Sequence, residues 1–243
     1  MTDNLTKECS HLIEAFIDEL WQRAKTDPDL LPFIEGAACV TAAPTESPHP
    51  IPEKASAWLA RALDNMPGKS RLHDLMRLVA PNAPLWPVFV NDEIDPALTE
   101  SVIESEFAHW ISETGDRSVA LGLAIFGPDA DYLPHTHDSL EIYFNLSGEL
   151  TIQHGVDGEP FRVSPSDYSI TPVNRVHSLR TGPEPVLVLY IWVGNPVAEN
   201  WWWEADEDGS WKRTPYRWSE DDTWTQTGPT EWVSKEAMEE AHR

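Results

Sequence analysis

The stretch "DYLPHTHDSLEIYFNLSG", Asp131–Gly148, decides the fold. It carries His135 and His137 two positions apart, then Glu141, with Tyr132 and Tyr143 on either side. Residues two apart on a strand share a face, so His135 goes with His137 and Glu141 with Tyr143, while Ile142 and Phe144 point the other way. Further on, "TPVNRVHSLRT", Thr171–Thr181, delivers His177 from a strand able to lie beside the first pair. One histidine on a strand is usually an ordinary, satisfied polar residue. Three histidines and a glutamate concentrated on strands suit Zn, Fe(II), Mn, Co or Ni, with positions open for water or substrate.

The surroundings of this stretch read as a succession of short strands: "SVALGLAIF", "EIYFNL", "ELTIQH", "PFRV", "YSIT", "HSLRT" and "VLVLYIWVG". Turn signals separate them at Gly148-Glu149, Asp157-Gly158, Pro165-Ser166-Asp167 and Gly182-Pro183. Strands this short and regularly spaced form a barrel or sandwich. Upstream the periodicity is helical. Leu5, Cys9, Leu12, Ile13, Phe16, Ile17, Leu20 and Trp21 fall on one helix face, and Pro28 and Pro32 end the pattern. After the proline-rich loop Thr41–Pro52, a second helix carries Trp58, Leu59, Ala62, Leu63 and Met66, and a short third one carries Leu72, Leu75, Met76 and Val79. "PLWPVFVND" reads as extended. Thr99–Thr114 reads as one more helix, with Ile103, Phe107, Trp110 and Ile111 inward.

The fold class expected is thus mainly β with an α-helical N-terminal region. Residues 1–95 form helices that rest on the barrel, residues 96–200 form the barrel with its metal site, and residues 201–243 form a tryptophan-rich acidic segment. That segment holds seven of the twelve tryptophans, including Trp201, Trp202 and Trp203. Disordered tails are poor in aromatics, so it is expected to lie against the barrel with a further strand or two around Trp211–Trp218. A ligand-binding surface is the less economical reading of the same residues.

The 243 residues are 41% hydrophobic, enough for a large core. The formal net charge of -24 speaks against a nucleic-acid or anionic-membrane surface and fits a very soluble protein. No apolar run has the length of a membrane span. Cys9 and Cys39 lack metal-type spacing, and the acidic N-terminus lacks the basic region of a signal peptide. The expected setting is the reducing cytoplasm. The sequence leaves a homo-oligomer open.

"HTHDSLEIYFNLSG" resembles the first motif of the cupins: H-x-H, three or four spacers, E, six spacers, G. His135, His137, Glu141 and Gly148 match each fixed position. The second motif, P-x-G-x-x-H-x-x-x-N, is met by Pro172 and His177, with Asn174 in place of the Gly and Thr181 in place of the Asn. Asn tolerates left-handed backbone angles, so the turn can survive the exchange. Within the cupins, the run from Tyr132 to Gly194 and the helical region ahead of it resemble the cupin-type dimethylsulfoniopropionate (DMSP) lyases. The tryptophan-rich tail departs from that pattern.

The resemblance implies a metal-dependent β-elimination that gives dimethyl sulfide and acrylate. By position it implies His137, Glu141 and His177 as core ligands of one divalent ion, with His135 a fourth ligand or a substrate contact. Tyr143 would be a ligand that moves when substrate arrives, and Tyr132 the base. The plainer readings are that Tyr132 anchors a loop and that Tyr143 packs. A sulfonium end needs aromatic faces, for which Trp192, Tyr190 and Phe144 are candidates. His154 reads as exposed, and His11, His49, His73, His109 and His242 are given no role. Two other functions share these features: a cupin dioxygenase or isomerase acting on another small molecule, and a non-catalytic small-molecule-binding cupin.

Overall fold

The computed structural model describes residues 2–46, 49–90, 94–95, 97–99, 101–195, 198–219 and 223–242. Four helices come first: α1 (Thr2–Ala24), α2 (Leu31–Ala37), α3 (Ala55–Asn65) and α4 (Arg71–Val79). On α1, Cys9, Leu12, Phe16 and Leu20 are buried at spacings of three and four, whereas Trp21, at the edge of that stripe, is exposed. Ser70 caps α4 by accepting from the backbone N–H of His73, satisfying a donor that the first turn leaves unpaired. Among the described residues, no helix is long and apolar enough to cross a membrane.

The strands follow as β1 (Trp86–Pro87), β2 (Val102–Ile111), β3 (Ser118–Phe126), β4 (Asp131–Thr136), β5 (Ser139–Ser147), β6 (Leu150–His154) and β7 (Phe161–Val163). Then come β8 (Tyr168–Thr171), β9 (His177–Thr181), β10 (Val186–Gly194), β11 (Asn200–Ala205), β12 (Trp211–Trp218), β13 (Trp224–Gln226), β14 (Glu231–Trp232) and a last helix, α5 (Lys235–Ala241). They make two antiparallel sheets. One has the order β1-β2-β3-β10-β5-β8; the other runs β13-β12-β11-β4-β9-β6-β7, with β14 beside β12. Apolar and aromatic side chains from both sheets fill the space between them, among them Tyr143, Leu150, Ile152, Leu179, Val188 and Tyr190. The outer face of the six-stranded sheet carries Leu121, Leu123, Ile125, Ile142, Phe144, Leu189 and Ile191. These share one core with Leu12, Phe16 and Leu20 of α1 and with residues of α2–α4.

Thr99–Thr114 departs from its sequence reading: residues 102–111 are strand β2, paired antiparallel with β3. The register of this pair slips between Glu106 and Ala108. A bulge adds one residue to one strand, so side chains beyond it change parity. Ile103, Phe107 and Trp110 thereby reach the same helix-covered core at spacings of four and three, which on paper is helical periodicity. Ile111, expected inward, is exposed. Glu100, with the end of "PLWPVFVND" (Asn91 and Asp92) and positions 220–222 of "SEDD", lies outside the described residues.

The tryptophan-rich segment builds β11–β14 and extends the second sheet past β4. Trp202 pairs across from His135 and Trp201 from Thr136. The segment also returns to the second-motif loop, since the Val176 N–H donates to the Ala241 carbonyl. Trp203 and Ala241 enclose Val176 in a small core of their own.

Candidate metal centre and its cavity

β4 is where the site begins. Its register against β9 shifts between Tyr132 and His135, spanning Leu133-Pro134. Three residues apart on a regular strand would face opposite sides. The irregularity lets both Tyr132 and His135 face the interior, and Pro134, which has no N–H to donate, fits such a break. The Tyr132 ring stacks on His135 with centroids 4.6 Å apart and planes 17° apart. His135 in turn lies opposite His177 across the β4–β9 ladder, their ring centroids 4.0 Å apart.

Each imidazole is held the same way. Nδ1 of His135, His137 and His177 donates to the backbone carbonyls of Leu133 (2.8 Å), Ser139 (2.9 Å) and Arg175 (3.1 Å). A carbonyl only accepts, so these bonds place the proton on Nδ1 and leave the Nε2 lone pairs free. The three rings bring ligand atoms within 4.8 Å of one another. Glu141 Oε2 lies 3.2 Å from His177 Nε2 and 3.8 Å from His137 Nε2. Its other oxygen, Oε1, accepts from the indole N–H of Trp192, whose ring lies against His137 at 4.4 Å.

Glu141 and His177 are both 0% exposed, yet Glu141 Oε2, His137 Nε2 and His177 Nε2 have no hydrogen-bond partner. Buried polar atoms without partners are costly, and three converging on one point fit a bound cation. Burial alone would raise the Glu141 pKa, but the two facing imidazoles outweigh it and hold the carboxyl well below its usual range. Burial, with the charges of His177 and His137, holds His135 well below the ordinary imidazole value, so it stays neutral with its lone pair available.

The second-motif loop keeps its shape despite its exchanges. Asn174 takes a left-handed angle, φ 59°, as a Gly would. Its N–H donates to the His137 carbonyl at 2.9 Å, which ties the two motifs together. Thr181 accepts from the Ala130 N–H and donates to the Gly127 carbonyl. Gly148, φ 85°, leaves room for Pro185, whose carbonyl oxygen would be 2.6 Å from an added Cβ.

A cavity of about 400 Å³ opens from this centre. Tyr132, His137, Tyr143, Tyr190 and Trp192 line it. Phe144 does not: it faces the helices and meets Phe16 edge-on at 5.5 Å, so it is removed from the candidates for an aromatic wall. Burial, with the negative charges of Glu104 and Glu141, pushes the Tyr132 hydroxyl well above its ordinary pKa. Burial and Glu141 do the same to Tyr143. His154 is half-buried rather than exposed. It lies across from His177 on β6 and contacts the Thr171 hydroxyl at 3.4 Å, outside the three-ring cluster.

Two groups of lining residues escaped the sequence reading. Glu104 and Glu106 of β2 line the cavity, hidden by the helical appearance of their strand. The alternation of charged and apolar residues in "VIESEF" was the available signal. Arg217, Trp218 and Trp224 also line it, so the tryptophan-rich segment both packs on the barrel and walls the cavity.

A family model for dimethylsulfoniopropionate lyase matches residues 37–188. Dimethylsulfoniopropionate lyase DddW of Ruegeria pomeroyi is 30% identical over 79 residues, which are 32% of this chain and 51% of DddW. The chain thus spans about half the length of that curated relative. The solved structure of DMSP lyases RdDddP and RnDddQII superposes with a TM-score of 0.59 at 19% identity, over 77% of this chain and 93% of that one. DMSP lyase DddQ from Ruegeria pomeroyi DSS-3 gives 0.53 at 19% identity, over 76% and 92%. These likenesses establish the fold, a cupin barrel preceded by helices.

Proposed function

This chain belongs to the dimethylsulfoniopropionate lyase family, and on that premise we propose that it cleaves DMSP to dimethyl sulfide and acrylate at the centre described above. The observation that carries the proposal is the convergence of three unpartnered buried atoms, Glu141 Oε2, His137 Nε2 and His177 Nε2, where His137 meets the cavity that Tyr132 also lines. His137, Glu141 and His177, with His135, would hold one divalent ion, and their mixed N/O donor set suits Zn, Fe(II), Mn, Co or Ni. When bound, that ion supplies the positive charge that neutralises a substrate carboxylate and favours a phenolate over a phenol.

The reaction removes a proton from the carbon next to the carboxylate, forms the C=C bond and breaks the C–S bond, whose electron pair leaves with sulfur. Tyr132 Oη takes the proton. Its ring is fixed between His135 and Trp202, with centroids 4.6 and 5.5 Å away, so the oxygen is positioned without further ordering. General-base help of this kind is worth about 10²–10⁴ in rate. Tyr143, two residues beyond Glu141 on the same face, supports the centre as an additional ligand. Trp192 holds Glu141 in the orientation that leaves Oε2 facing the imidazoles. Both cysteines are free, which supports a reducing, cytoplasmic setting.

Headspace detection of dimethyl sulfide, with acrylate measured in solution, tests the reading. Purified protein loaded with a divalent metal should release both in equal amounts, stop on chelation and resume on adding metal back. Oxygen uptake with a carboxylate substrate would point to a dioxygenase instead, and binding of DMSP without turnover to a sensor.

A further inference from the structure

We infer that Glu104 and Glu106, together with the ring of Tyr190, form the subsite that takes up the cationic sulfonium end of the substrate. This inference rests on the reading of the cavity as one that receives a sulfonium carboxylate. Both glutamates line the cavity from β2, on the far side of the six-stranded sheet from Glu141. Across that sheet, Glu106, Gly122, Tyr190 and Tyr143 occupy one row, and Glu104 lies two residues along from Glu106 on the same face.

Gly122 explains how the ring reaches the acids. A Cβ there would sit 2.2 Å from the Ser105 carbonyl oxygen and 2.7 Å from Tyr190 Oη. With no side chain at 122, the Tyr190 ring lies across β3 toward β2. An aromatic face thus stands between the metal centre and the two carboxylates. Trp86 of β1, paired directly across from Glu104, lines the same space.

Among the described residues, neither acid is paired with a lysine or arginine, and Glu104 has no salt bridge. Glu106 accepts from the Thr45 hydroxyl at 2.9 Å and has only the exposed His109 imidazole at 3.9 Å. Arg217, at the cavity wall, faces Glu199 at 3.8 Å. A second, independent sign of an occupant is Trp224, which lines the cavity, is 7% exposed and has an indole N–H without a partner among the described residues. That donor calls for an acceptor on the occupant, so it fits a molecule that carries a carboxylate as well as a cation. Burial, then the charges of Glu106 and Glu141, pushes the Glu104 carboxyl up to about 8, so near neutral pH it is mostly protonated until a cation beside it favours the carboxylate.

A sulfonium has no N–H to donate, so hydrogen bonds cannot select it. Carboxylate charge and aromatic faces can: Glu104 and Glu106, ionised beside the cation, supply the first and the Tyr190 ring the second. The chemistry also dictates which kinetic constant they govern. As the C–S bond breaks, its electron pair neutralises the sulfur, so attraction to Glu104 and Glu106 fades toward the transition state. Such contacts hold the ground state at least as well as the transition state, so their loss raises KM and does not lower kcat.

The test uses metal-loaded wild type, Glu104→Gln, Glu106→Gln and the double variant, each with metal content and melting temperature measured. Two unreactive carboxylates of the same shape are titrated calorimetrically: 3-(trimethylammonio)propionate, which is cationic at its head, and 4,4-dimethylpentanoate, which is neutral there. Wild type should prefer the cation by at least about tenfold, within what charge and aromatic contacts supply. The double variant should lose that preference while binding the neutral analogue as wild type does. For DMSP, KM should rise at least about tenfold while kcat does not fall. An unchanged cation preference in the double variant, or loss of both analogues with metal retained, overturns the inference. Dimethyl sulfide release by wild type is scored separately, so a protein that discriminates the analogues without releasing it keeps this subsite and loses only the proposed reaction.

Discussion

The two faces of the six-stranded sheet come from alternate residues of the same strands and do opposite work. On β5 and β10, Ile142, Phe144, Leu189 and Ile191 face the helices and are buried in a purely apolar core. Their neighbours Glu141, Tyr143, Tyr190 and Trp192 face the other sheet and carry the polar atoms of the site. A strand repeats every two residues, so one nine-residue segment can be both foundation and chemistry without compromise between them. The helices give the apolar face something to bury against. They leave the inner face free to keep atoms unpartnered.

That division can be broken from either side. The largest effect is expected at Glu141→Ala: metal should be lost and dimethyl sulfide release should drop at least about 10³-fold, the upper range for removing one preorganised charge-stabilising group. Full release from a verified metal-free protein would overturn the centre itself. Next comes the outer face. Leu189→Ala should cost about 2–5 kcal/mol in denaturant titration while kcat and KM of the remaining folded protein stay as they were. A kinetic change there would mean that the two faces are coupled. Tyr132→Phe keeps the ring and removes only its oxygen, so metal content and stability should persist while turnover falls about 10²-fold or more. If it turns over normally, the base must be sought elsewhere.

The smallest effect separates stability from the site altogether. His73 is buried at the start of α4, with its Nδ1 2.6 Å from the Ser70 hydroxyl. Burial lowers its pKa below the usual 6.5, so the unfolded chain takes up a proton that the folded one resists. This contribution is whole above about pH 6.5 and is lost as pH falls below it. Melting temperatures of wild type should therefore decline more steeply between pH 7 and 5 than those of His73→Leu. Parallel declines would show that His73 protonates freely in the fold.

How much of this could be read in advance differed from strand to strand. β5 was legible because Glu141 and Tyr143 alternate with Ile142 and Phe144 over residues 139–145, which pair residue for residue with β10. The left-handed Asn174 was legible because backbone sterics leave few residues that tolerate such an angle. β2 was not, because its bulge put Ile103, Phe107 and Trp110 at helical intervals, and with the strand went Glu104 and Glu106. The role of Trp218 and Trp224 was also out of reach, since only the long-range pairing of β11 with β4 brings them to the cavity. Local periodicity carries information about faces. It carries none about which distant segment will close a wall.

One hydrogen bond has a bearing on synthesis. The Val176 N–H, next to His177, donates to the carbonyl of Ala241. The loop that presents His177 therefore cannot be fully braced until residue 241 has left the ribosome, several seconds after His177 at about 5–20 residues per second. During that interval the candidate donors of the first motif have been made, but their partner loop lacks its clasp. Metal that arrives early would meet a half-formed and more permissive set of donors. The identity of the ion is therefore expected to depend on which metals are free in the cell during translation, as well as on the finished site.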